Sequence, residues 1–176
     1  MRAIGTVLAL LLAGCTAIDP GDPGGAGDPY FLREGMVHGI NPPVTFVWDV
    51  QVEVMNDAGA FDPALIDDAR WAALVDAACR LEAEAERMAA AQRFVGADPA
   101  GTLGEPPEGT DLAAIEAGIA ANLPAYRALA QSFAGHTAAL AAAAEARDAP
   151  ELSRLVNDLQ PQCAACHEVF WFPSGA

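Results

Sequence analysis

Apolar residues recur every three or four positions along most of the chain after residue 29, which is the period of an amphipathic α-helix. Four stripes of this kind lie at 32–47, 71–88, 126–144 and 152–159. The segments that separate them each contain Pro and Asp. The pattern predicts an all-α protein with four main helices, a short additional helix from Thr110 or Asp111 to Ala121, and a loop over residues 97–109.

The predicted helix boundaries depend on capping residues. Asp67 or Asp68 is expected to cap the second main helix, and Asp148 the last one. Asn122 and Pro124 favour the start of the third. Pro42-Pro43 predicts a kink near residues 38–41, and Pro161 a bend in the last helix, because proline lacks an N–H and clashes with the preceding turn.

One segment gives a conflicting signal. Val50, Val52 and Val54 alternate with polar residues, which is the period of a β-strand. Since the sequence offers no partner strand, we expect this segment to continue the first helix.

The N-terminus carries an export signal. Met1-Arg2 is followed by an apolar run over residues 3–13, which is too short to span a bilayer and has the length of a signal-peptide core. The run ends in Leu-Ala-Gly-Cys15, which resembles a bacterial lipobox and predicts lipidation of Cys15. An ordinary cleaved signal peptide is the alternative. Residues 1–14 are therefore predicted as the signal, 15–29 as a flexible tether and 30–176 as the folded domain.

Charge narrows the classes of partner. The formal net charge is −15, and all nine basic residues are Arg. So acidic a surface disfavours nucleic acid and anionic lipid, and it favours a partner with a basic docking face. Cys79 lies in a helical stripe and is predicted to be a free core residue.

The strongest chemical signal is Cys163-x-x-Cys166-His167, the attachment motif of a c-type haem. On a helix these three side chains project from one side, so one segment can form two thioethers and supply an axial imidazole. A thioredoxin-like pair, a zinc site and a chance match are the alternatives. No βαβ pattern precedes the motif, and Cys79 and His136 do not have the spacing of zinc ligands.

A four-helix chain with this motif at the end of its last helix resembles the class II c-type cytochromes, the cytochrome c′ family. The resemblance covers about residues 30–171 and rests on Cys163, Cys166 and His167. It implies an up-and-down four-helix bundle with one covalent haem c near the C-terminus, bound within the bundle. Many members carry a basic residue shortly after the haem histidine, whereas here Glu168-Val169-Phe170-Trp171 follows.

The resemblance also suggests a sixth iron ligand, because low-spin members use a Met on the first helix. Met36 matches that position, and Met55 is the alternative. His136 is expected at the surface or near the haem propionates, Met88 in the core, and Trp48, Phe170 and Trp171 packed in the bundle or on the haem face.

Two functions follow from these ligands. The first is electron transfer by His167–Met36 iron, without enzymatic activity, to a redox partner with a basic face. The second is binding of NO or CO at five-coordinate iron. The expected location is the periplasmic side of a bacterial membrane, attached through a lipid on Cys15, with the outer membrane favoured. The sequence also leaves room for a homodimer.

Overall fold

A computed structural model describes residue 15 and residues 28–59 and 61–171. Its elements are β1 (Tyr30–Phe31), α1 (Leu32–Glu34), a π-helix (Gly35–Ile40), α2 (Asn41–Glu53), a 3₁₀ turn (Pro63–Leu65), α3 (Asp68–Ala90), β2 (Phe94–Val95), α4 (Leu112–Ala121), α5 (Leu123–Glu145) and α6 (Ala149–Phe170). The predicted signal peptide, most of the predicted tether and residues 172–176 lie outside the described residues.

The four long helices form a bundle around one hydrophobic core. The first is a continuous rod of α1, the π-helix and α2, which packs on α3 and α6. The other packing pairs are α3 with α5 and α5 with α6, so the four rods close a ring. The completely buried side chains include Leu74, Leu81, Leu140, Leu152 and Leu159. The prediction of an all-α four-helix bundle is confirmed.

Aspartates start three of the helices by a common mechanism. The side chains of Asp67, Asp111 and Asp148 each accept a hydrogen bond from the backbone N–H three residues further on, at 2.7, 3.0 and 3.2 Å. Each cap satisfies one of the backbone donors that a helix leaves unpaired at its N-terminus. Asn122 is the N-cap of α5 but makes no such side-chain bond.

The first rod contains a π-helix directly before Pro42-Pro43, where the sequence predicts a kink. The N–H of Asn41 donates to the carbonyl of Met36, five residues back, so the turn is wider than an α-helical one. A widened turn relieves the crowding that proline rings impose on the preceding carbonyls. The rod then continues as an α-helix to Glu53. Val50 and Val54 face the core and Val52 is 69% exposed, so the expectation of a helix here is confirmed.

A two-residue parallel sheet joins the start of the first rod to the segment after α3. Tyr30 pairs with Phe94 and Phe31 with Val95. The N–H of Tyr30 donates to the carbonyl of Arg93 at 2.8 Å, and that of Arg33 to Gly96 at 3.1 Å. Each strand is too short to leave a periodic pattern, which is why the sequence did not predict the pair.

The last helix, α6, continues through Pro161, so this proline does not end the helix. Along α6, Leu152, Leu155, Val156 and Leu159 are buried in the core. Among the described residues, no helix has both the length and the apolar character needed to cross a bilayer.

Candidate functional site

The final turns of α6 hold the Cys-x-x-Cys-His motif against the bundle. Cys163, Cys166 and His167 follow Leu159 at positions 4, 7 and 8, so they continue the face of the helix that packs into the core. All three side chains are half-buried. The segment therefore presents two thiols and one imidazole to the interior from a single rigid element.

The three motif residues line a cavity of about 40 Å³ at this end of the bundle. The other elements contribute side chains to the same cavity: Met36, Ile40, Met88, Leu129, Ala130, Phe133 and Gln162. Met36 and Ile40 come from the π-helix, Met88 from α3, and the rest from α5 and α6. The wall opposite the motif is almost entirely apolar.

A second cavity of about 210 Å³ adjoins the first, because Met36 and His167 line both. Its remaining lining is Arg33, Val37, Asn41, Pro106, Pro107, Thr110, Leu112 and Trp171. A porphyrin-sized ligand commonly needs several hundred Å³, so neither cavity alone suffices. Cys163, Cys166 and His167 lie together beside this space, so they are the residues that would hold a haem, through two thioethers and one imidazole.

The loop over residues 97–111 covers the second cavity. Its carbonyls at Gly104 and Glu105 accept hydrogen bonds from the Arg33 guanidinium, the second at 2.9 Å. The backbone N–H of Asp98 donates to the Glu34 carboxylate at 3.1 Å. The start of the first rod thus holds this loop over the site.

Burial sets the protonation of the motif. It raises the pKa of the Cys163 thiol, and that of Cys166 to about 11, where the neighbouring Cys163 adds to the effect. Burial lowers the pKa of His167 below its ordinary value. The imidazole is therefore neutral at pH 7, the form that binds a metal. A reactive thiolate pair needs a lowered thiol pKa, so the thioredoxin-like alternative loses support.

Aromatic rings brace the end of α6. The Trp171 ring stacks on His167 with centroids 5.9 Å apart and planes 28° apart. Phe170 contacts Tyr126 edge-on at 5.2 Å, and Tyr126 contacts Phe94 at 4.6 Å. These contacts fix the helix end that carries His167.

Other predicted residues lie elsewhere. Met55 is 44% exposed, bridges to Phe61 and lines neither cavity, whereas Met36 lines both. His136 is half-buried and lines neither cavity; its ring nitrogen lies 2.9 Å from the Leu155 carbonyl and links α5 to α6. Trp48 donates its indole N–H to the Val156 carbonyl at 3.3 Å, which is a packing role in the bundle.

Cys79 is not a free core residue, and that prediction was wrong. It forms a disulfide with Cys15, 64 residues earlier in the chain. One sulfur cannot carry both a disulfide and the thioether of a lipid, so in this structure Cys15 is not available for the lipidation that the sequence predicts. Spacing alone could not reveal the pair, because disulfide connectivity is not readable from sequence.

Residues 69–171 match the protein-family model described as cytochrome C′. The matched region runs through α3, α4, α5 and α6 and includes the whole motif. The chain belongs to the cytochrome c′ family. Comparisons with curated proteins and with solved structures each returned no significant match.

Membership fixes the chemical class of the protein. It is a c-type cytochrome that binds covalent haem c. The family is generally non-enzymatic and typically periplasmic. The match does not extend to the first rod, so Met36 is outside the matched region.

Sequence reasoning assigned Met88 to the core and did not single out Ile40, Leu129 or Gln162 for the site. Met88 is indeed buried, yet it also lines the first cavity. A signal for it existed, because Leu81, Ala85 and Met88 share one face of α3. The apolar pattern alone cannot distinguish a residue packed in the core from one that lines a cofactor-binding cavity, since both positions are apolar.

Proposed function

We propose that this cytochrome transfers electrons, with His167 and Met36 as the axial ligands of its haem iron. The observation that carries the proposal is that Met36 and His167, 131 positions apart, line the same two cavities. They come from different rods of the bundle and meet across a space into which Cys163 and Cys166 also face.

The chemistry of the two ligands supports electron transfer. When bound, the haem supplies an iron that cycles between the ferric and ferrous states. A neutral imidazole and a thioether are the ligands found in low-spin cytochromes, and the thioether raises the reduction potential. The apolar wall of Ile40, Leu129 and Phe133 would keep water from the iron, which favours the less charged ferrous form.

The described linings offer little for acid–base catalysis. Neither cavity is lined by a carboxylate among the described residues, and the polar side chains of the first are Gln162, His167 and the two thiols. A peroxidase-type enzyme needs a positioned acid–base group beside the iron. This supports a carrier rather than a catalyst.

The partner we propose is a periplasmic redox protein with a basic docking face. The formal net charge of −15 favours such a partner and speeds its association at low ionic strength. The same charge disfavours nucleic acid. A homodimer is compatible with this proposal, and membrane attachment depends on whether Cys15 carries a lipid or the disulfide.

Binding of NO or CO is the second candidate function. The apolar wall beside Met36 and the cavity of about 40 Å³ suit a small uncharged diatomic molecule better than a polar substrate. In this alternative the Met36 thioether stays unbound and the iron is five-coordinate.

The absorption spectrum of Met36→Ala tests the proposal. The wild-type ferric protein is expected to be low-spin with the far-red charge-transfer band of a thioether bound to iron. Met36→Ala should abolish the band and open the iron to carbon monoxide. Met55→Ala is the matched control and should retain the band, because Met55 lies outside both cavities.

Two outcomes would contradict the proposal. A wild-type protein that is high-spin and binds carbon monoxide directly would favour the gas-binding function. Loss of the band in Met88→Ala, with its retention in Met36→Ala, would move the ligand to α3, because Met88 lines the same cavity.

A further inference from the structure

The π-helix that carries Met36 lies unusually close to its neighbours. A Cβ atom added at Gly35 would lie 2.1 Å from the Tyr30 hydroxyl oxygen, and one at Gly39 would lie 2.3 Å from Glu84 Cδ. Neither distance is sterically allowed, so both positions need glycine unless the neighbour moves. Tyr30 is buried in the core and has little room to do so.

The neighbours of the two glycines are joined to one another. The Tyr30 hydroxyl donates to Glu84 Oε1 at 2.7 Å. Glu84 also accepts from the Arg87 guanidinium at 2.7 Å, and that guanidinium lies 5.3 Å from the centroid of the Tyr30 ring. The Glu84 side chain is only 10% exposed, so its carboxylate is held by these contacts rather than by water.

This cluster borders the site. Gly35 and Gly39 flank Met36 in the π-helix, and Ile40 follows Gly39. Met88 lies one helical turn beyond Glu84 on α3. Because Met36, Ile40 and Met88 all line the first cavity, the contact between the π-helix and α3 ends where the cavity begins.

We propose that Glu84 and Tyr30 are positioning residues for Met36: they hold the π-helix against α3, and the glycines at 35 and 39 permit that close approach. The proposal rests on the proposed function, in which the Met36 thioether binds the iron. A shift of the π-helix backbone away from α3 carries Met36 with it, since Met36 lies between the two glycines. π-helical turns are frequent at functional sites.

Gly39→Ala is the test variant and Gly135→Ala its control. Both replace a glycine in a helical segment by a better helix former. The added Cβ meets Glu84 at position 39, whereas at position 135 it meets nothing within 4 Å. Each variant is made as holoprotein with ¹³C-labelled methionine methyl groups, so that the Met36 resonance reports its position beside the haem and the Met55 resonance serves as a remote reference.

We expect Gly39→Ala to shift the Met36 methyl resonance and to remove most of the far-red band, with Gly135→Ala unchanged in both. In a Glu84→Ala background, Gly39→Ala should cause no additional shift, because the side chain it meets is gone. Glu84→Gln should retain the wild-type signals, since its amide oxygen still accepts the Tyr30 hydrogen bond.

An unchanged Met36 resonance and band in Gly39→Ala would overturn the positioning proposal. So would an equally large effect of Gly39→Ala with and without the Glu84 side chain. The two proposals fail separately: a wild-type protein without the band refutes Met36 ligation, while the Met36 methyl resonance still decides whether Glu84 sets the position of this side chain.

Discussion

The disulfide between Cys15 and Cys79 has a large expected effect on stability. Replacing Cys79 by Ala removes a cross-link between residues 64 positions apart in sequence. In the chain-entropy description, a closed loop of this length lowers the entropy of the unfolded chain enough to stabilise the fold by about 4 kcal/mol. We choose Ala because Cys79 is buried, and Ser would leave an unpaired hydroxyl in the core.

This magnitude translates into a measurable melting shift. For a chain of this size, about 1 kcal/mol lowers Tm by roughly 2–4 °C, so Cys79→Ala should melt roughly 8–16 °C below wild type. Thermal unfolding of the holoproteins, followed by circular dichroism, gives the value. Cys15→Ala should give a loss close to that of Cys79→Ala, and the double variant should lose no more than either single variant.

Mass spectrometry checks the premise of this prediction. Without reduction, Cys15 and Cys79 of the mature protein should resist alkylation, and reduction should expose both. The prediction is contradicted if the mature N-terminus carries an acyl mass on Cys15 while Cys79 alkylates freely, because Cys15 would then be lipidated and could not form the disulfide. A melting temperature that is the same in wild type and Cys79→Ala would also refute the stated magnitude.

Two further predictions concern the packing of the core and the stability of the fold at alkaline pH. Leu81→Ala removes a completely buried side chain from α3 and should lower the free energy of unfolding, measured with denaturant, by about 2–5 kcal/mol. Val52→Ala is the control, because Val52 is exposed, and its free energy of unfolding should stay within about 0.5 kcal/mol of wild type. Equal losses in the two variants would contradict the burial of Leu81. Burial, with a smaller effect of the nearby Glu84, raises the pKa of Tyr30 well above its usual value. Above about pH 10 the unfolded chain therefore releases a Tyr30 proton that the folded chain retains, and stability falls as pH rises. A titration should show tyrosinate absorbance from Tyr30 only together with the loss of helical circular dichroism, and its appearance in the folded protein near pH 10 would contradict the prediction.

The sequence by itself determined the helices and the chemistry of the motif. Asp67, Asp111 and Asp148 cap helices because the bonds they form reach only three residues along the chain. The four apolar stripes predict helices because their residues recur with the 3.6-residue repeat of an α-helix. The same repeat places Cys163, Cys166 and His167 on one side of α6. These features depend only on residues close together in sequence, so they can be predicted without knowledge of the tertiary structure.

Tertiary structure decided whatever depends on distant parts of the chain. The Cys15–Cys79 disulfide, the Tyr30–Phe94 strand pair and the Tyr30–Glu84 hydrogen bond join residues 54 to 64 positions apart. No periodicity encodes such partners, because many pairings satisfy the same pattern.

The choice between Met36 and Met55 shows the same limit. Met36 lies in the π-helix of the first rod and Met55 lies just after that rod ends, and the sequence alone leaves both open as ligands. Only the packing of that rod on α3 and α6 brings Met36 to the cavity beside His167 and leaves Met55 exposed at the surface. A side chain's position along a helix is local information, whereas the neighbour it faces is set by how the helices pack.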